Sequence, residues 1–260
     1  MTRDGEAANG NGSGPRIPGK EALRPPLPKR FYKSAEVAPR GEGFAVLLDG
    51  RTIRTPAKRE LVVPVEALAA AIAAEWDAQG ERIDAATMPL TRLVNVAIDA
   101  VEERKAEVTD DIVAFAGSDL VCYRAETPDA LVRRQAETWN PVLAWARREL
   151  GADLRLREGL MPIDQPPEAL EAIRGTLAGV DALSLAALHV LTTIGGSALV
   201  AIAHWHELLS VDEAWRAVTV DETWQREQWG RDAEAEAHAA LRRAEFEAAS
   251  RCLSFLRSRR

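Results

Sequence analysis

The spacing of apolar residues changes around Pro64, and that change constrains the fold more than any other feature of the chain. Upstream, FAVLL and RTIRT flank the dipeptide Asp49–Gly50. A two-residue turn needs positive φ angles that aspartate and glycine tolerate, so the pair predicts a β-hairpin with Gly50 as a structural residue. ELVVP reads as a third short strand ended by Pro64, giving a small antiparallel sheet over roughly 31–63. Downstream the period becomes 3.6. In PVEALAAAIAAEWDAQ the residues Val65, Leu68, Ile72 and Trp76 share one helical face, which makes Trp76 a structural residue packed on the sheet.

From Met88 onward nearly every segment reads as helix. Leu90, Leu93, Ala97 and Val101 form one stripe, and Val108, Ile112 and Phe115 a second. Leu131, Gln135, Trp139, Leu143 and Ala146 form a third, in a helix that Pro141 is expected to kink. Ser210 and Glu213 have the spacing of a capping box and mark a helix start. The last helix is expected to align His238, Leu241, Ala248, Cys252 and Phe255 on one face. The fold class is α+β, a small β-rich N-terminal domain followed by a larger, mainly helical C-terminal domain. Residues 1–28, rich in Gly, Pro, Asn and Arg, are expected to be a disordered tail. Residues 29–90 are expected to form an α/β domain with an antiparallel hairpin and one helix, and 91–260 the helical domain.

The formal net charge is −7 and no basic stripe is present, which speaks against nucleic acid as a partner. The uncharged run 182–203 is long enough to span a bilayer. It carries His189, two threonines and the pair Gly195–Gly196, so two shorter buried helices are expected and no stable membrane insertion. Cys122 and Cys252 have no metal-ligand companions and read as free thiols in a reducing compartment. The N-terminus lacks an apolar core for secretion, and its acids are unlike a mitochondrial transit peptide. The cytoplasm is therefore expected, with the mitochondrial matrix as the alternative if an upstream presequence is missing.

Chemistry is hard to find. His204 and His206, two apart on a helix, point about 200° from each other and cannot share an ion. No Gly-x-Gly-x-x-Gly, P-loop or Gly-x-Ser-x-Gly motif occurs, so no catalytic residue, metal or cofactor is expected. Glu75 and Asp77 flank Trp76, but at that spacing their side chains diverge. They read as solvated helix acids, as part of a surface another protein reads, or as half of an acid–base site that needs a third group. Trp215, Trp224 and Trp229 lie close together among the acids Glu213, Glu222 and Glu227. Five residues of helix turn about 500°, so Trp224 and Trp229 cannot both follow one stripe. They form a second packing seam or an exposed interface, where tryptophan is a favoured anchor.

Five blocks resemble one family. They are KRFYKSAEV, LDGRTIRTP, VPVEALAAAIAAEWDAQGERIDAATMPLTRLVNVAID, DLVCYRAETPDALVRRQAETWNPVLAW and TVDETWQREQWGRDAEAE, in family order from about residue 29 to about 240. The family is that of the assembly chaperones that escort the unassembled alpha subunit of the F-type ATP synthase head. The resemblance implies a protein without turnover that keeps the alpha subunit from aggregating and hands it over to the beta subunit, itself monomeric when free. It also implies partner-binding roles for Glu75, Asp77, Glu222 and Trp229, with Trp76 and Gly230 structural, and Trp224, an aromatic among acids, is a further partner-binding candidate. The alternative is a small-molecule enzyme using an acidic residue in an inter-domain cleft.

Overall fold

The computed structural model describes residues 26–159, 161–230 and 232–257. Most of the expected tail, residues 1–25, lies outside the described residues. Where the description begins the chain is already paired: the Pro28 carbonyl accepts from Ile83 N at 2.8 Å, and the Leu27 carbonyl from Arg82 at 2.6 Å.

Four strands form the first sheet: β1 (Ala35–Arg40), β2 (Gly43–Leu48), β3 (Arg51–Thr52) and β4 (Val62–Val63). β2 is central, with β1 antiparallel along one edge and β3 and β4 pairing successively along the other. The hairpin at Asp49–Gly50 is the two-residue turn the sequence predicts: Leu48 pairs with Arg51, and the turn residues have φ +46° and +78°. Gly43 answers a different demand. A Cβ there would lie 2.6 Å from the Val63 carbonyl oxygen, so β4 can approach β2 only over glycine.

Helix α1 (Glu66–Asp77) lies on this sheet and buries Leu68, Ala69, Ile72 and Ala73. Trp76 sits at the rim of that face, partly buried, its ring 5.7 Å from Tyr32 in an edge-on contact. The following elements are α2 (Pro89–Asp99), α3 (Lys105–Gly117), β5 (Tyr123–Arg124), α4 (Asp129–Trp145), β6 (Arg157–Glu158) and α5 (Pro167–Leu177). Then come α6 (Ala182–Gly195), α7 (Ala198–Trp205), α8 (Val211–Val218), α9 (Val220–Trp229) and α10 (Ala233–Arg257). One hydrophobic core runs from the sheet through α1 and α2 into the helices.

The uncharged run becomes α6 and α7, the centre of the helical part. α6 packs against α2, α3, α7 and α10, and its buried side chains include Leu185, Leu188 and Leu191. Each such side chain stabilises the fold by roughly 1.5–3 kcal/mol. The two helices part at Gly196, which is left-handed at φ +67°. The carboxylate of Asp119, fully buried, accepts from Leu199 N at 3.0 Å at the start of α7 and from Val121 N at 3.2 Å. Among the described residues no helix is long and apolar enough to cross a membrane.

Two features differ from the sequence reading. β5 and β6 form a short parallel pair within the part expected to be helical. With two residues each they carry no local periodicity, and only the tertiary fold brings them together. In α10 the expected face is buried only in its second half. Ala248 and Cys252 are in the core, whereas His238 and Leu241 are exposed, the first half of the helix bordering open clefts with α8 and α9. The buried stripe runs through Phe246, Ala249 and Leu253.

Candidate functional site

The segment around Trp76 is a clip. α2 begins at Pro89 behind Met88, which provides no side-chain cap. Glu75 supplies one from α1: one carboxylate oxygen accepts from Leu90 N at 2.8 Å, and the other from Thr91 N at 2.8 Å and Thr91 Oγ1 at 2.7 Å. These N–H groups would otherwise be orphaned, and the negative charge favours a helix N-terminus. Gln79, buried beneath, donates to the Glu75 carbonyl and to Thr87 Oγ1, and accepts from Asp84 N at 2.7 Å.

Arg30 closes the same, C-terminal end of α1 from the N-terminal segment. Its guanidinium donates to the carbonyls of Asp77, at 3.0 Å, and Gln79, stacks on Tyr32 at 4.6 Å, and pairs with the Asp77 carboxylate at 3.2 Å. The Tyr32 hydroxyl donates to the Trp76 carbonyl at 2.6 Å. Glu75 and Asp77 thus face different elements and share no proton. Both oxygens of Glu75 are engaged by donors of α2, which gives it a capping role. Asp77 remains largely in solvent, with 65% of its side chain exposed.

The second group lies on α9. Glu222 pairs with Arg242 of α10 at 2.8 Å, and Arg242 donates also to the Ile194 carbonyl near the end of α6. Trp224 is half-buried, with the Arg134 guanidinium 5.1 Å from its ring, and Arg134 pairs with Glu227 at 2.9 Å. Asp221 accepts from Gln135 at 2.8 Å. The acids of α9 are therefore tied to bases and amides of α4 and α10. Trp229 departs from this pattern, standing 88% exposed at the end of α9. Gly230 follows at φ +90°, a conformation that favours glycine, and turns the chain toward α10. Between the two helices Glu222, Arg226, Trp229, His238 and Arg242 line a shallow cleft of about 390 Å³. The angular argument from sequence holds here: Trp224 is half-buried, while Trp229, five residues on, stands exposed, and Trp215 packs separately against Phe246 at 5.4 Å.

Arg134 and Arg242, which hold this group together, are not legible in the sequence. Arg242 lies 20 residues from Glu222, and their meeting depends on how α9 folds back on α10. Other candidates resolve into packing. The His204 ring nitrogens lie 2.8 Å from the Leu209 carbonyl and 2.8 Å from Ser250 Oγ, and burial lowers its pKa. Both cysteines are buried thiols, pushed by burial up to about 12. Among the described residues no group of three or more His, Cys, Asp or Glu could hold a metal.

This α+β body, with C-terminal helices cross-tied by ion pairs, has a fold found in chaperones. The chain is 45% identical to a candidate chaperone from Agrobacterium tumefaciens, with a TM-score of 0.85 over 93% of this chain and 92% of that one. It is 42% identical to Atp12 from Paracoccus denitrificans, with a TM-score of 0.81 over 88% of this chain and 98% of that one. A mitochondrial protein of Schizosaccharomyces pombe, atp12, is 27% identical over 221 residues, 79% of this chain and 76% of that protein. The model of the ATP12 chaperone protein family matches residues 29–147. The chain belongs to the ATP12 chaperone family.

Proposed function

We propose that the protein is an ATP synthase assembly chaperone that captures the unassembled alpha subunit of the catalytic head and releases it to the beta subunit. The observation that carries this reading is Trp229. A tryptophan 88% exposed makes little contribution to the protein's own core and is a favoured centre for an interface. Glu222, Trp224 and the surrounding arginines would form its polar surround. Standard specific interfaces bury about 1,600 Å². A surface that must also let go has to be only moderately tight, and partly paired charges around one anchor suit that need. Asp77 offers a further contact from the end of α1, whereas Glu75 acts through the clip.

The test is light scattering by isolated alpha subunit diluted from denaturant. Stoichiometric wild-type protein is expected to suppress aggregation without nucleotide, and added beta subunit to release the client. Glu222→Gln is a better probe of the acid than Glu222→Lys, which would set an ammonium against Arg242 and strain the α9–α10 contact. Aggregation that proceeds unchanged in the presence of the wild-type protein would overturn the reading.

A further inference from the structure

A second surface lies beside the cleft. α2, α3, α6 and α10 enclose an open groove of about 360 Å³, floored by Leu93, Val96, Val101, Val108, Ala186 and Val190. Val96 is 55% exposed within it, an aliphatic side chain facing solvent where the flanking Leu93 and Val101 are buried. The volume is at the lower end of the range for ligand pockets, enough for a few side chains.

Its charges define what would fit. Arg92 is neutralised by Glu245 at 2.9 Å. Arg104 bonds to Glu107 at 2.6 Å and also faces Asp111. Asp111 lies 3.8 Å from His189 Nε2, and burial lowers the pKa of that ring, which leaves it neutral at pH 7. Two arginines thus face three carboxylates, and the excess negative charge falls at the Asp111 end, where 67% of the carboxylate side chain is exposed. A strongly charged segment would find little attraction here. An apolar one with a single cation would match both floor and rim.

The groove also lies along the same face of α10 as the cleft at Trp229. His238 and Arg242 line that cleft, and Glu245 lines the groove. These positions recur at i, i+4 and i+7 on α10, and Leu241, 62% exposed, lies on the same side of the helix. One helix face therefore joins the exposed tryptophan to the apolar floor.

We infer that this groove receives an apolar segment of the unassembled client subunit, with one Lys or Arg of that segment placed against Asp111. The inference rests on the client-capture reading and adds a second contact to it. The full chain, with isolated alpha subunit as probe, supplies the test through the binding constant and the melting temperature of each variant. Val96→Glu, at an exposed position, is expected to weaken binding at least tenfold with unchanged melting. Asp111→Lys is expected to weaken it several-fold, and more at low salt than at high salt. Leu156→Glu, at another exposed apolar position outside the groove, is expected to bind as wild type. A photo-crosslinking residue at position 96 is expected to label the alpha subunit, which covers the case in which Val96→Glu melts early. Wild-type affinity in both groove variants, or no crosslink from position 96, would overturn the inference and leave client capture standing. Failure of the wild-type protein to bind would overturn both.

Discussion

Glu75 shows how a side chain can belong to a family's identifying block and yet have its carboxylate occupied within the protein. Its oxygens cap α2, a helix with no cap of its own. Glu75→Ala is expected to lower unfolding free energy by about 1–3 kcal/mol, read by urea denaturation, because it leaves partly buried N–H groups unpaired. Trp76→Arg should destabilise further, setting a second guanidinium beside Arg30 and Tyr32 in a half-buried site. A third residue gives a pH signature. Burial raises the Asp119 pKa to about 6 against the pull of its hydrogen bonds, whereas an unfolded aspartate titrates near ~3.9. The native state then holds the extra proton between these values. The stability this group contributes is full below the lower value and is lost as pH rises through the higher one. The stability difference between wild type and Asp119→Asn, measured by denaturation from pH 4 to pH 7, should shrink with rising pH; a growing difference would contradict the assignment. None of these bonds is legible locally. The sequence places Glu75 and Asp77 apart on a helix, but the donors that fix their roles come from α2 and from Arg30.

At the scale of elements, local signals were strong wherever one segment could declare itself. Asp49–Gly50, the Ser210 capping box and the Gly195–Gly196 break all mark real boundaries, since each depends on backbone chemistry within a few residues. Gly195 carries a further constraint: an added Cβ would lie 2.7 Å from Val218 Cγ1, where α8 presses on α6. Gly195→Ala is expected to cost about 1–3 kcal/mol, seen as a lower melting temperature, because a close-packed core resists an added methyl group. Elements defined by partners were less legible. The β5–β6 pair lacks a period, and the alanine-rich first half of α10 continues the helical pattern of its buried half with no break to mark where burial ends. Leu241 falls on an apolar stripe in sequence, yet its side chain is 62% exposed.

For the whole molecule, the change of period at Pro64 was enough to foresee a sheet followed by helices, and five sequence blocks were enough to indicate the family. The candidate surface was half legible. A five-residue offset shows that Trp224 and Trp229 cannot share a stripe, but it does not say which one is exposed. That choice follows from α9 ending at Gly230, where the ring of Trp229 stands 88% exposed. The central claim is that this exposed ring anchors the unassembled alpha subunit. Its most direct test is the affinity of freshly diluted alpha subunit for wild-type protein and for Trp229→Ala, with melting temperatures measured alongside. Loss of a buried interface tryptophan typically costs at least about 2 kcal/mol, so binding should weaken roughly thirtyfold while melting stays unchanged. Equal affinity in the two proteins, or no binding by the wild type, would contradict the account.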